Sequence, residues 1–371
     1  MEKKQNYVTK NLRPIILELH QYTAGKSIVE IANKYNLDPK QILKLGSNEN
    51  ILGSSLKAKI AATFALEKVN IYPEVTSEEL ASKIKRINKL KNVDIVVGNG
   101  MDHIFEMVGR LFLNNGDETI ISVPTFTCYE LLTLWSGAVP RLIPLTKDNY
   151  QLNVKRILNT VNKKTKIIFI CSPNNPTGNL MKTEDIKTIL ENTDKIVFLD
   201  EAYSEFSNVS LINWIEKYPN LIIGRTFSKL YGLAGYRVGY AFIHKSLASY
   251  YLNSITPFVV SRPAQAAAVA ALDDTPFVNK TLKMVRDGKA FYYQELTKAR
   301  ISFLPTDANF ITINTAPHKS RDIADKLMAK GIITRECTAF GTSGNKLLRI
   351  TIGTLEQNQR VLQTLKHALI N

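Results

Sequence analysis

The chain has 371 residues, of which 44% are apolar and 22% are charged, a balance typical of a globular protein with one large domain and a smaller one. No apolar stretch approaches the roughly 20 residues of a membrane helix, and the charged beginning of the chain lacks an apolar run of signal-peptide length. The net charge of +15 comes from lysines and arginines spread along the whole chain. This spread favours a solvated basic surface, compatible with small anionic ligands, over a nucleic-acid interface or a membrane partner.

The three cysteines, Cys128, Cys171 and Cys337, are scattered along the chain and lack the spacing of a metal site. We therefore expect reduced thiols, a cytoplasmic location and no bound metal.

The chain divides into three predicted units. Residues 1–50 are expected to form an N-terminal arm that packs on the small domain or on a partner subunit. Residues 51–265 are expected to form a large domain, because over residues 90–245 within it short β-branched runs alternate with amphipathic stretches. This alternation is typical of an α/β fold with a mainly parallel central sheet. Residues 266–371 are expected to form a small α+β domain.

The periodicity also predicts individual elements. The predicted strands of the large domain are 94–97, 119–123, 166–170, 196–199 and 221–223, and its predicted helices include 101–114, 128–136 and 182–191. The small domain is predicted to hold helices at 286–298 and 321–330 and strands at 310–313 and 347–352, and a helix over 264–272 could bridge both domains.

In an open parallel sheet, ligands bind beyond the carboxyl ends of the strands, and four predicted strand ends carry unusual residues. The first runs into Gly98 and Gly100 before a helix, like a dinucleotide-binding turn without its third glycine. Such glycines let backbone N–H groups approach a phosphate, although a plain tight turn would have the same sequence. The second strand end is followed by CSPNNPTG at 171–178, either an ordinary Asn/Pro turn or a rigid turn that aims one amide side chain.

The third strand ends at Asp200, a carboxylate whose burial after so apolar a run is costly unless a cation offsets it. After the fourth strand, Lys229 lies among hydroxyls, glycines and aromatics, with Arg237 eight residues further on. Pyridoxal 5'-phosphate (PLP) needs a lysine for a Schiff base and an acid partner for its ring nitrogen. The four strand ends together supply these groups, so the sequence predicts a PLP site centred on Lys229.

Three segments carry a resemblance to a known family: SPNNPTG at 172–178, FLDEAY at 198–203 and TFSKLYGLAGYRVGY at 226–240. They resemble those of fold-type I, PLP-dependent aminotransferases, and within this fold the chain is most similar to the histidinol-phosphate aminotransferase family. The similarity runs from LGSNEN at 45–50 to LLRITIG at 347–353. It implies a large PLP-binding domain with a mainly parallel sheet and a smaller α+β domain.

The resemblance implies a role for each matching residue. Lys229 would form the Schiff base and move the proton, Asp200 would pair with the ring nitrogen, and Tyr203 would bond the phenolic oxygen. Asn175 would also bond the phenolic oxygen, and Phe126 would stack on the ring face. The cofactor phosphate is expected to contact Gly100, Met101, Asp102, Thr226, Ser228, Arg237 and, from the neighbouring subunit, Tyr72. A homodimer with shared active sites follows from that last assignment.

Substrate contacts are implied in the same way. Arg349 matches the arginine that binds the α-carboxylate of glutamate or 2-oxoglutarate, and Arg335 matches the one that receives the substrate phosphate. Tyr22 and Asn48 belong to segments that resemble the substrate lid. Two positions depart from the family pattern: Ile51 replaces a proline near the lid, and His103 replaces a more usual acidic residue.

The predicted activity is the PLP-dependent transamination that interconverts histidinol phosphate and 2-oxoglutarate with 3-(imidazol-4-yl)-2-oxopropyl phosphate and glutamate, in L-histidine biosynthesis. A broad aromatic-amino-acid aminotransferase and a phosphothreonine-type decarboxylase of the same fold would keep the cofactor residues and remain alternatives. A non-catalytic PLP-binding regulator would need a helix-turn-helix module, which the arm segments do not supply.

Overall fold

The computed structural model describes residues 8–19, 25–341 and 344–370. The helices are α1 (Pro14–Glu18), α2 (Ile28–Tyr35), α3 (Leu56–Ala65), α4 (Glu78–Ile87), α5 (Gly100–Phe112), α6 (Cys128–Trp135), α7 (Val154–Thr160), α8 (Thr183–Glu191), α9 (Lys245–Ser254), α10 (Arg262–Ala271), α11 (Thr275–Lys298), α12 (Ser320–Met328) and α13 (Leu355–Ile370). The strands are β1 (Leu43–Lys44), β2 (Val93–Gly98), β3 (Glu118–Val123), β4 (Val139–Pro144), β5 (Thr165–Cys171), β6 (Ile196–Asp200), β7 (Leu221–Thr226), β8 (Gly239–His244), β9 (Phe303–Leu304), β10 (Phe310–Asn314), β11 (Ile332–Ile333), β12 (Arg335–Glu336) and β13 (Leu347–Thr351).

The larger sheet has the strand order β2-β8-β7-β6-β5-β3-β4. Its strands run parallel except for β8, which pairs antiparallel with both β2 and β7. The predicted mainly parallel α/β sheet is therefore confirmed, with one reversed strand that the sequence analysis did not identify.

Helices cover both faces of this sheet. Successive side chains along each strand point to opposite faces and so enter different cores. In β6, Val197 and Leu199 belong to one apolar core while Phe198 belongs to the other. Helices α3, α4, α7, α8 and α10 contribute to the first core, and helices α5, α6 and α9 contribute to the second. Burial on both faces explains why the central strands are nearly continuous apolar runs.

A second unit follows in the chain. It contains an antiparallel sheet in the order β12-β13-β10-β9, with α11, α12 and α13 contributing to its core. The early strand β1 pairs parallel with β11, and Leu45 is buried in the same core. Residues 43–45 are thereby held against this second unit, whereas Arg13 donates a 2.7 Å hydrogen bond to the Trp135 carbonyl of the large unit.

The boundary between the two units falls near the turn after α10. Ala264, Ala267 and Ala268 of α10 are buried in the core of the large sheet, whereas Val285 and Tyr292 of α11 are buried in the second core. We therefore propose that the large unit extends to about residue 272, beyond the predicted boundary at 265. The helix predicted over 264–272 as a possible bridge corresponds to α10, which ends before α11 begins.

The carboxyl ends of the parallel strands meet at one edge of the large sheet. Gly98, Val123, Cys171, Asp200 and Thr226 end β2, β3, β5, β6 and β7 at this edge. Strand β8 runs the other way and begins at Gly239, opposite both Gly98 and Thr226, so Arg237 just before it lies at the same edge. The topology of the sheet therefore places the four predicted motifs at one edge. Among the described residues, no helix combines the length and apolar character that crossing a membrane requires.

Candidate active site

A cavity of about 420 Å³ opens at this edge, between the large sheet and the second unit. It is lined by most of the predicted site residues: Asn48, Met101, Asp102, Phe126, Asn175, Asp200, Tyr203, Thr226, Ser228, Lys229, Arg237, Arg335 and Arg349. These residues span some 300 positions of sequence, and the fold brings them together in one place.

Asp200 is a buried carboxylate at the end of β6, and only 4% of its surface is exposed. Its Oδ2 accepts a 2.6 Å hydrogen bond from the Tyr129 hydroxyl, and its Oδ1 accepts a 2.9 Å bond from the Ala202 backbone N–H. Burial raises the pKa of Asp200 to about 6, while these two bonds and the nearby Lys229 act in the opposite direction. The two hydrogen bonds therefore fix the orientation of the carboxylate, and its pKa of about 6 places its ionisation near neutral pH.

Lys229 follows β7 and reaches across the cavity. Its Nζ donates to the backbone carbonyl of Ser47 at 3.0 Å and lies 5.8 Å from the centre of the Tyr203 ring. Burial lowers the pKa of the Lys229 amine to about 8, with the positive charge of Arg349 as the next contribution in the same direction. A substantial share of this amine is neutral, and so nucleophilic, at moderately alkaline pH.

The glycine turn after β2 forms a cradle for an anion. Helix α5 begins at Gly100, which has a left-handed φ of +76°, and a Cβ at this position would collide with the Arg237 guanidinium. A Cβ on Gly239 would collide with the backbone of Gly100 and Met101. The Arg237 guanidinium bonds the Asp102 carboxylate at 3.0 Å. Backbone N–H groups at the start of α5 and this guanidinium can therefore approach the same phosphate.

Two hydroxyls complete this corner of the cavity. Thr226 and Ser228 are 5% and 8% exposed, and the Ser228 backbone N–H donates to Thr226 Oγ1 at 3.1 Å. Both residues line the cavity, as Arg237 does.

Tyr203 and Asn48 are joined by a buried hydrogen bond. The Asn48 amide donates to the Tyr203 hydroxyl at 2.9 Å, and Asn48 Oδ1 accepts from Thr351 Oγ1 at 3.3 Å. The Asn309 amide donates to the Asn48 carbonyl at 3.1 Å. Asn48 is fully buried, so it links the segment before residue 51 to both units at the cavity wall.

Two arginines form the wall that the second unit contributes. Arg335 on β12 lies directly opposite Arg349 on β13, and the two guanidinium carbons lie 5.6 and 5.7 Å from the centre of the Phe340 ring. Arg349 is 5% exposed and bonds the Asn175 side chain and, at 2.6 Å, the Gly46 carbonyl. Two like charges side by side at a cavity wall form a site for anionic groups.

The remaining predicted residues lie elsewhere. Tyr72 is 76% exposed on the molecular surface, where its ring stacks on Phe258 at 4.7 Å. Tyr22 lies outside the described residues. Of the two departures, Ile51 packs against the second core, and His103 is buried beside Gly98 with a pKa lowered by burial.

Several residues at the site were not predicted from the sequence. Tyr129 bonds Asp200 from the first turn of α6, and Phe340 and Glu49 line the cavity. The sequence gives no signal for Tyr129, because a tyrosine in the predicted helix 128–136 is ordinary. Glu201 follows Asp200 but faces away from the cavity and pairs with Arg225 at 2.8 Å.

PLP fits this set of groups. A fixed buried carboxylate, an amine with a lowered pKa, an aromatic face at Phe126 and a glycine cradle beside an arginine are the complement its ring, aldehyde and phosphate require.

Comparison with known proteins agrees with the geometry. Residues 40–365 match the family model described as aminotransferase class I and II. A histidinol-phosphate aminotransferase from Methanosarcina mazei is 43% identical over 94% of this chain and 94% of its own length.

Two solved structures share the fold. The histidinol-phosphate aminotransferase from Clostridium acetobutylicum has a TM-score of 0.82 and 26% identity, covering 89% of this chain and 100% of that one. The enzyme of that name from Sinorhizobium meliloti, solved in complex with pyridoxal-5'-phosphate, has a TM-score of 0.87 and 22% identity, covering 97% and 98%. This chain therefore belongs to the class I and II aminotransferase family, within the histidinol-phosphate aminotransferase group, and is an enzyme whose cofactor is PLP.

Proposed function

We propose that this enzyme interconverts histidinol phosphate and 2-oxoglutarate with 3-(imidazol-4-yl)-2-oxopropyl phosphate and glutamate, in L-histidine biosynthesis. The observation that carries the proposal is the pair Arg335 and Arg349, which lie opposite each other at the wall of the cavity that contains Lys229. The name of the relatives that match nearly the whole chain supports the same substrate.

Both substrate pairs are anionic, and each of the two arginines would bind a different anionic group. Glutamate carries two carboxylates, whereas histidinol phosphate carries a phosphate and no carboxylate. Arg349 is held by Asn175 and Gly46 and would bind the α-carboxylate of glutamate through two parallel hydrogen bonds. Arg335 is the more exposed of the two and would receive the phosphate of histidinol phosphate or the side-chain carboxylate of glutamate.

The cofactor, when bound, supplies an electron sink for the negative charge that develops at the substrate carbon. Lys229 would hold it through Nζ and, once released, take the proton from the substrate carbon at the same atom. Asp200 would accept a hydrogen bond from the ring nitrogen and keep it protonated. Asn175 and Tyr203 would orient the phenolic oxygen, Phe126 would cover the ring face, and Gly100–Asp102, Thr226, Ser228 and Arg237 would hold the phosphate.

We also propose a homodimer in which Tyr72 of each chain reaches the cofactor phosphate of the other. Arg262 bonds the carbonyls of Ile71 and Tyr72 at 2.9 and 2.6 Å and so holds this loop on the surface. On the neighbouring helix α3, Leu56, Ile60 and Phe64 form an apolar stripe that is 48–68% exposed, which a second copy would cover. A cytoplasmic location is supported by the three free cysteines.

The test is a comparison of amino donors. The holoenzyme would be given histidinol phosphate, phenylalanine, tyrosine or phosphothreonine with 2-oxoglutarate, and glutamate and carbon dioxide would both be measured. We expect kcat/KM for histidinol phosphate to exceed the values for the aromatic donors by about a hundredfold, since they lack a phosphate for Arg335. The variant Arg335→Gln should lose most of this preference, while Arg156→Gln, on the exposed side of α7, should keep it.

Equal or better use of phenylalanine or tyrosine would move the function to an aromatic aminotransferase. Release of carbon dioxide from phosphothreonine without formation of glutamate would identify a decarboxylase.

A further inference from the structure

We propose that Tyr129 is a positioning residue for Asp200: its hydroxyl keeps the Asp200 carboxylate ionised and aimed at the ring nitrogen of the cofactor. This inference rests on the role proposed above for Asp200. Tyr129 does not line the cavity and would act only through that carboxylate.

Asp200 accepts one hydrogen bond at each of its carboxylate oxygens. Tyr129 bonds Oδ2 at 2.6 Å and the Ala202 N–H bonds Oδ1 at 2.9 Å, so each carboxylate oxygen has a fixed donor. Two donors on different oxygens define the plane of the carboxylate. They leave its remaining lone pairs for a group in the cavity that Asp200 lines.

The ring of Tyr129 is held rigidly by its aromatic neighbours. Tyr129 is fully buried and stacks on Phe169 with a centroid distance of 5.0 Å and an interplanar angle of 7°. Phe105 and Phe126 pack edge-on against it at 5.1 and 5.7 Å. A ring enclosed in this way cannot swing its hydroxyl away from Asp200, so the donor is preorganised.

Tyr129 also affects the ionisation of Asp200. Burial disfavours the ionised form of Asp200, and the hydrogen bond from Tyr129 is the largest contribution that opposes this effect. Burial and the nearby Asp200 raise the pKa of Tyr129 well above its usual value, so its hydroxyl remains a donor at every physiological pH. The titratable groups that face Asp200 are Tyr129, Lys229, Asp102, Tyr203, Cys128 and Cys171.

The test compares Tyr129→Phe with a matched control. Tyr218→Phe removes a hydroxyl that also donates to a carboxylate, Glu191 at 2.8 Å, and neither residue lines the cavity. The dissociation constant of PLP from each apoenzyme would be measured by fluorescence titration at pH 6 and at pH 8, and circular dichroism would confirm that both variants fold.

We expect Tyr129→Phe to bind PLP about tenfold more weakly than the wild type at pH 6 and within about twofold of it at pH 8. Loss of the donor raises the pKa of Asp200 above about 6, so the carboxylate is mostly protonated at pH 6, where about half of it is ionised in the wild type. At pH 8 it is largely ionised in both proteins. Tyr218→Phe should match the wild type at both pH values. An equal loss at both pH values, or no loss at either, would overturn the proposal.

A further variant separates this inference from the function on which it rests. Asp200→Asn removes the carboxylate and should weaken PLP binding by more than about a hundredfold at both pH values. If Asp200→Asn binds PLP as the wild type does, the proposed role of Asp200 fails. If Asp200→Asn loses binding while Tyr129→Phe behaves like Tyr218→Phe, only the role of Tyr129 fails.

Discussion

The amine of Lys229 illustrates how single residues acquire their chemistry from their surroundings. In water a lysine is almost entirely protonated at neutral pH, but burial beside Arg349 lowers the pKa of Lys229 to about 8. The neutral fraction of the amine therefore rises as the pH increases through about 8. Only this neutral form can attack the aldehyde of the cofactor.

Removal of the positive charge of Arg349 should raise the pKa of Lys229. In Arg349→Met the pKa of Lys229 rises, because one of the charges that disfavour its protonated form is gone, although burial still lowers it. We expect the rate of PLP capture by the apoenzyme to reach its half-maximum at a higher pH than in the wild type. Stopped-flow absorbance between pH 6 and 10 would measure it, with Arg156→Met as the control. An unchanged midpoint would show that Arg349 does not act on Lys229.

The reactive residues were predictable from the sequence because each follows a predicted strand. Lys229 and Asp200 stand out as polar side chains after apolar runs, and topology then requires them to meet. Tyr129 gives no such signal, since a tyrosine on an amphipathic helix is ordinary. Its bond to Asp200 depends on the packing of α6 against the sheet, and a single sequence does not contain that distance.

At the scale of elements, the segment around residue 48 joins parts that are distant in the chain. Asn48 has a left-handed φ of 56°, and its side chain bonds Tyr203 after β6 and Thr351 on β13. The same segment supplies the Ser47 carbonyl to Lys229 and the Gly46 carbonyl to Arg349. A short irregular segment therefore determines the positions of three side chains in the cavity.

Truncation of Asn48 should affect both stability and activity. Asn48→Ala leaves the buried Tyr203 hydroxyl without its donor, and we expect a loss of about 1–3 kcal/mol in the free energy of unfolding. We also expect kcat/KM to fall about tenfold, because Tyr203 is no longer oriented. Urea unfolding and steady-state kinetics would measure the two effects.

The matched control is Asn220→Ala. Asn220 lies just before β7 and away from the cavity, and its amide donates a 2.9 Å hydrogen bond to the Lys195 carbonyl. This variant should lose stability and keep its kcat/KM. If Asn48→Ala also kept its kcat/KM, its amide would have no part in orienting Tyr203.

The elements themselves were predictable where their pattern is regular. The five predicted strands and the helices at 101–114, 128–136 and 182–191 correspond to observed elements with small changes at their ends. Strand β4 was missed because an edge strand with Pro140, Arg141 and Pro144 has no apolar run. Strand β8 was missed too, and its reversed direction is a tertiary feature that local periodicity does not encode.

At the scale of the whole molecule, the cavity exists only because two units and the segment before residue 51 meet. Arg335 and Arg349 come from the second unit, Lys229 and Asp200 from the first, and Asn48 from the connecting segment. The resemblance to aminotransferases assigned these residues to one site, but their distances and the linking hydrogen bonds required the folded chain. The proposed dimer would add Tyr72 as a further contributor.

Shared sites predict complementation between two defective chains. Lys229→Ala and Tyr72→Ala would be co-expressed with different tags, so that hybrid dimers form. One site of each hybrid then has both Lys229 and Tyr72 intact. We expect activity to approach roughly a quarter of the wild-type value, because random pairing makes half of the dimers hybrids. Activity no greater than that of the two variants assayed separately would place Tyr72 outside the partner's site.

The most direct test of the central claim is a single half-reaction followed by absorbance. The purified holoenzyme would be mixed with stoichiometric histidinol phosphate in the absence of 2-oxoglutarate. We predict that the visible band of bound PLP disappears as the amino group is transferred, and that 2-oxoglutarate restores it. The variant Lys229→Ala should show neither change. A visible band that histidinol phosphate leaves unchanged, while phenylalanine or tyrosine removes it, would contradict the proposed substrate.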